Sequence, residues 1–277
     1  MLDKMITEVF PQNKLDNLYK ALKESNLDLE QYECLCLPYV GKEYRTAKKQ
    51  MLFIGKANSG WGEKWDERNV SLDNLSDVVN QNAQQKTLAE ISIHVVENKI
   101  IPSYAGLPVK PPFHDPYGRY KKSHVFHMIY RFTSGILDRN PVMPDITNNV
   151  DRANKSFLSM SWSNIFKVCQ ATKQNPDELM IKFLLRNLNT LAEEIKRLKP
   201  SCVIFCTGYD WDKYINAAFP SYNLAFRELT SRIPAQDASI ITGLPNVPLA
   251  VRTRHPQGWP SNSIEILYQE IFRRIYE

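Results

Sequence analysis

The stretch Met51 to Gly62, MLFIGKANSGWG, decides how the rest of the chain is read. Its four apolar residues, Met51 to Ile54, predict a short buried strand. That strand runs into a turn holding Gly55, Gly60 and Gly62, residues free to take backbone angles closed to others. Ligands gather at the carboxyl ends of strands in open α/β sheets, so a strand ending in a glycine turn marks a candidate site. The spacing of Gly55 and Gly60 is that of a P-loop, but Trp61 and Gly62 stand where that motif needs Lys and Ser or Thr. No ammonium is placed to meet terminal phosphates, which excludes a Walker-type NTPase. The alternative is a tight strand-to-loop turn without chemistry.

Downstream, FLSMSWSNIFKV, residues 157–168, predicts a second central strand with Asn164 and Lys167 at its outgoing end. Asn175, Pro176, Asp177 and Glu178 form a helix start, with a capping side chain, a proline at the first helical position and negative charge in the first turn. Leu184, Leu188, Leu191, Ile195 and Leu198 then make one apolar stripe ending at Lys199-Pro200. Strands follow at Cys202 to Cys206, Ser239 to Thr242 and Val247 to Val251, with weak helices over Asp210 to Phe219 and Tyr222 to Leu229. The last strand delivers Arg252, Thr253, Arg254, His255, Pro256, Gln257, Gly258 and Trp259. A terminal helix carries Ile264, Leu267, Ile271 and Ile275, with Ser261 or Ser263 as its cap. Upstream, helices are expected over 13–24, 72–98 and His124 to Leu137, separated by a proline-rich connection in which Arg119, Lys121 and Lys122 are available to phosphates.

Strands alternating with helices predict a three-layer α/β/α sandwich around a mainly parallel sheet of four to five strands. The expected organisation is one domain over 1–277, with a helical segment at 1–50 and a loop-rich insertion at 63–150.

Composition narrows the class. Hydrophobic content of 43% and charged content of 23% are those of a globular protein, and a net charge of +5 permits a nucleic-acid partner without requiring one. The first residues lack a signal-peptide pattern and no apolar run reaches transmembrane length, so a cytoplasmic protein with no membrane partner is expected, acting as a monomer. Cys34, Cys36, Cys169, Cys202 and Cys206 are odd in number and form no C-x-x-C pair, so neither a disulfide framework nor a zinc ribbon is expected. His124 and His127 stand three apart on one predicted helix, but no Cys or carboxylate repeats the pattern, and no metal or other cofactor is expected.

Three strand-end segments, taken in order, resemble the uracil-DNA glycosylase superfamily. GKANSG resembles its first motif. SWSNIFKV resembles the strand that carries a base-reading Asn, and the N-x-x-K of Asn164 and Lys167, with the downstream LKPSCVIFCTG, resembles the iron–sulfur branch. RHPQGW resembles the second catalytic motif, with Trp259 where an apolar residue wedges into DNA. The resemblance covers Met51 to Gly62 and Phe157 to Pro260. It implies a uracil-DNA glycosylase-like fold and an N-glycosidase that flips a deaminated or damaged base out of DNA. The cluster cysteines of the iron–sulfur branch have no counterpart in spacing, so no iron–sulfur cluster is expected.

The resemblance implies roles residue by residue. His255 donates to the departing base and Asn58 orients water, standing where efficient members carry an acidic residue. Asn164, Gly55 and Ala57 hold the base; Trp259, Gln257, Arg252, Arg254 and Lys167 meet the DNA. Whether Ala57 or Asn58 takes the motif position depends on one residue of loop length. The chemistry suits the residue types: glycosidic cleavage builds negative charge on the base, which calls for donors at its oxygen. A carboxamide offers a donor and an acceptor on one rigid group. Flipping costs on the order of a few kcal/mol of unstacking, which an inserted Trp259 would offset. Structural alternatives stand beside each role. His255 can cap a turn, Asn164 can close an Asx turn, and Trp259 can staple the final helix. At the level of function the alternatives are a non-catalytic nucleic-acid or nucleotide-binding module and an enzyme acting on free nucleosides or nucleotides.

Overall fold

The structure, a computed structural model, describes residues 32–35, 39–41, 43–56, 124–145, 149–166, 168–170, 178–187, 189–256 and 259–277. Its strands are β1 (Tyr32–Leu35), β2 (Tyr39–Val40), β3 (Met51–Gly55), β4 (Met160–Asn164), β5 (Val168–Gln170), β6 (Cys202–Phe205), β7 (Ala225–Glu228), β8 (Ala238–Thr242) and β9 (Leu249–Thr253). Its helices are α1 (His124–Leu137), α2 (Val150–Ser159), α3 (Glu178–Asn187), α4 (Leu191–Leu198), α5 (Asp212–Ala218) and α6 (Ser261–Tyr276).

Among the described residues a seven-stranded sheet runs in the order β2-β4-β3-β6-β9-β8-β7. Its centre, β4-β3-β6-β9, is parallel. β2 pairs antiparallel with β4 on one side, and β8 and β7 extend the other side antiparallel. The expected mainly parallel sheet of four to five strands is therefore corrected: the parallel part stands, but antiparallel strands widen it into a mixed sheet. β1 and β5 form a separate antiparallel pair in which Cys34 stands opposite Cys169.

Both faces of the central strands are covered, which is why β3 and β6 are apolar throughout instead of alternating. On one face Phe53, Ile204 and Val251 pack with Ile129, Phe132 and Ile136 of α1 and Ile264, Leu267 and Ile271 of α6. On the other Leu52, Ile54, Val203 and Phe205 meet Ile181 of α3, Leu191, Ile195 and Leu198 of α4, and Ile215 of α5. Each such side chain contributes about 2 kcal/mol relative to an exposed one.

α1 spans the expected range. The helix expected to run from Asn175 to Leu198 is two helices, α3 and α4. Polar side chains mark the second start: Asn189 Nδ2 donates to the Ala218 carbonyl, and Thr190 Oγ1 donates to Glu194 Oε1 at 2.6 Å. α4 stops at Lys199, which adopts a left-handed conformation (φ 49°) and whose N–H reaches the Ile195 carbonyl, at a cost of about 1 kcal/mol. Glu194 is fully buried and also accepts from Ser163 Oγ at 2.6 Å, which fixes α4 to the end of β4.

Two further expectations change. Residues within Tyr222 to Leu229, read as helical, form β7, because pairing with β8 decides their conformation over a weak local pattern. The helical segment expected at 1–50 contains β1, β2 and a 3₁₀ turn at Tyr44–Thr46 among its described residues. The helices expected at 13–24 and 72–98 lie outside the described residues. No described helix is long and apolar enough to cross a membrane.

Candidate functional site at the carboxyl edge

β3 and β4 end side by side, with Gly55 in register with Asn164. The parallel ladder continues one step beyond, because Ile165 N–H donates to the Gly55 carbonyl and Phe166 N–H to the Lys56 carbonyl, both at 3.0 Å. Asn164 is 3% exposed. Its side-chain oxygen and the Trp162 ring occupy the space that a Cβ on Gly55 would need, Trp162 Cζ2 standing 2.6 Å from that position. Glycine is required here by the close approach of the Asn164 carboxamide.

β6 joins the sheet on the other side of β3, so the chain reverses its direction of growth at the β3–β6 boundary. Such a reversal opens a crevice beyond the carboxyl ends of the strands. β6 is tied on both sides: Cys206 N–H donates to Ile54 O at 2.8 Å, and Gly208 N–H to Thr253 O at 2.9 Å. Gly208 has φ 85°, a conformation that suits glycine, and it opens a 3₁₀ turn, Tyr209–Trp211. The turn leaves Tyr209 60% exposed and buries Trp211. Thr207 is fully buried, and its hydroxyl has no hydrogen-bond partner among the described residues.

Lys56 lies at this boundary, half-buried, with Nζ 5.0 Å from the centre of the Trp211 ring, a contact worth about 1 kcal/mol. Burial pushes its ammonium below the ordinary lysine value, and Asp210 opposes that shift. His255, beyond β9, is half-buried; burial first, and then the Lys56 charge, push its imidazole below the ordinary value. The ring is therefore neutral near pH 7, able to donate from one nitrogen and accept at the other.

No family model, curated protein or solved structure matches this chain.

The geometry thus sorts the residues singled out in the sequence. Asn164, Gly55 and His255 share one sheet edge. The ends of β4 and β9 stand three strand spacings apart, about 14 Å, with Gly55, Lys56, Thr207 and Gly208 between them. Arg254 is at the same edge, its side chain 52% exposed and 3.8 Å from Asp237.

Arg252 and Trp259 are buried, which corrects their expected contacts with DNA. Arg252 lies within β9 and is 1% exposed. Its guanidinium donates to both Asp212 oxygens at 2.9 and 3.2 Å, to Ser239 Oγ at 3.0 Å and to the carbonyls of Gln236 and Ala235. Trp259 is 4% exposed and packs in the core beneath α6, the staple alternative. Ala57, Asn58, Lys167 and Gln257 lie outside the described residues.

The sequence assigns no role to Lys56 or Tyr209, and marks Thr207 only as part of the Thr-Gly exit of its strand. Lys56 follows Gly55 directly and stands well short of the Walker lysine position, so P-loop spacing gives it no role. Thr207-Gly208-Tyr209 is a second strand-to-glycine exit of the kind that singled out Gly55.

Among the described residues no group of three or more His, Cys, Asp or Glu is arranged to hold a metal ion.

Proposed function

We propose that the protein is an N-glycosidase of the uracil-DNA glycosylase type, releasing a deaminated or damaged base. The observation that carries this reading is the Asn164 carboxamide laid over Gly55 at one end of the carboxyl edge, with a neutral His255 at the other. In this reading the four parallel strands, covered by helices on both faces, are a divergent form of that superfamily's fold. Gly55-Lys56, SWSN, CTG and RHP lie at the ends of β3, β4, β6 and β9.

In the reaction, the bond between the sugar C1′ and the base nitrogen breaks with its electron pair leaving on the base. Water supplies the oxygen that bonds to C1′, and its proton passes to the base or to solvent. Asn164 reads the Watson–Crick edge through its paired donor and acceptor. His255 donates to the base oxygen on which charge develops, a role that favours a neutral ring. Asn58 orients the water, as the resemblance implies. Arg254 remains exposed for a backbone phosphate.

The inward placement of Trp259 and Arg252 removes a wedge and a phosphate contact. That favours, as a second reading, a free nucleoside or nucleotide as the substrate of the same chemistry.

The test is base release from oligonucleotides carrying uracil, hypoxanthine or xanthine, and from the matching deoxynucleosides and nucleotides. It uses wild type, His255→Ala and Asn164→Ala. Release from oligonucleotides that both substitutions abolish supports the DNA enzyme. Release from monomers alone supports the second reading. Salt-dependent binding without product would replace both with a non-catalytic binding module.

A further inference from the structure

The geometry points to Lys56 as an anionic-oxygen site at the β3–β6 boundary, placed to receive the oxyanion of a ring or phosphate group bound between Asn164 and His255. This rests on the base-binding reading of the same edge and names the ligand chemistry it selects.

Lys56 is the first residue after the strand whose end Asn164 covers, and its backbone is fixed, the carbonyl accepting from Phe166 N–H at 3.0 Å. Its ammonium is held against the Trp211 ring, and the His255 backbone nitrogen stands 3.8 Å from where a Cβ on Gly208, at the head of the same turn, would lie; the Lys56 charge helps to lower the imidazole. A half-buried cation at the edge that also carries His255 is an arrangement for an oxygen that carries or gains negative charge, because a charge-assisted hydrogen bond is about twice as strong as a neutral one. Two neighbouring features fit a ligand here. The buried Thr207 hydroxyl has no hydrogen-bond partner among the described residues, and the exposed Tyr209 ring offers a flat surface; the Asp210 carboxylate, which already acts on the Lys56 charge, is what an anion competes with. In cleavage, Lys56 would stabilise the departing base where the first motif supplies no carboxylate to drive the water.

The decisive measurement is equilibrium binding, which does not depend on turnover. Three probes are titrated: barbiturate, a pyrimidine ring ionised at neutral pH; uracil, the corresponding neutral ring; and inorganic phosphate. The wild-type chain is compared with Lys56→Met and Lys56→Arg, with circular dichroism confirming that each is folded. The expected result is that wild type prefers barbiturate to uracil by about tenfold, that Lys56→Met removes the preference and that Lys56→Arg keeps it. Phosphate binding that depends on Lys56, without a preference for barbiturate, assigns the anion to a nucleotide phosphate. Equal binding of the probes by wild type and Lys56→Met, or no binding of any probe by wild type, overturns the proposal. A parallel assay of base release separates the two ideas. Lys56-dependent anion binding without release leaves the anion site and removes the glycosidase. Release unchanged in Lys56→Met does the reverse.

Discussion

Asn164 lies across Gly55, its side-chain oxygen filling the space where any larger residue on β3 would place a Cβ. Gly55→Ala therefore forces the carboxamide, the Trp162 ring or the strand itself to move, and is expected to destabilise the fold by about 1–3 kcal/mol. Base release or ligand binding should fall further than this loss explains, because the displaced group is the proposed base reader. Denaturant unfolding and activity, measured on the same preparation, check both parts.

Arg252 and Arg254, two residues apart, should behave oppositely. Arg252→Ala strands Asp212 half-buried without its guanidinium partner and leaves donors and acceptors around Ser239 unmet, for a loss of about 3–5 kcal/mol. Arg254→Ala gives up only an exposed, 3.8 Å pair and should change stability by less than about 1 kcal/mol. If DNA is the substrate, Arg254→Ala alone should reduce the salt dependence of binding, by about one phosphate contact. Urea titrations and binding at several salt concentrations distinguish the two.

Trp259→Ala should act as a core truncation. With the ring 4% exposed among residues of α1 and α6, the expected loss is about 3–5 kcal/mol, with a lower unfolding midpoint. Trp259→Phe should recover most of it. A Trp259→Phe variant that folds normally but no longer distorts DNA, followed by the fluorescence of a base analogue beside the lesion, would restore the wedge.

His255 predicts a pH dependence of stability. Burial and the Lys56 charge hold its folded-state value below the ordinary 6.5. Between the two values the unfolded chain binds more protons than the folded one. Stability therefore rises with pH through that window and is lost as pH falls through it. Unfolding midpoints between about pH 7.5 and 5.5 should decline in wild type, and His255→Gln should flatten the decline. An identical decline in the variant would place the titration elsewhere.

Local pattern made the centre of the molecule legible. Met51 to Ile54 and Cys202 to Phe205 are unbroken apolar runs, and strands covered on both faces demand that composition. The 14-residue helix at His124–Leu137 followed from its spacing. Pairing partners distant in sequence decided what the pattern missed. Ala225 to Glu228 extends because β8 is beside it, and β9 runs through Thr253 and is buried along its whole length, so Arg252 lies inside where a loop would have left it in water. Lys56 went unrecognised because its meaning depends on Trp211 and His255, which reach it only through the order of the strands.

Burial raises the thiols of Cys202 and Cys206 well above the ordinary cysteine range, Cys206 to about 12; Cys202 opens β6, the strand flanked by β3 and β9, and Cys206 directly follows it. Only the thiolate reacts with alkylating agents. These two sulfurs should therefore stay silent toward such reagents for as long as the middle of the sheet is intact, and the lag before they are tagged becomes an internal clock for whole-molecule opening.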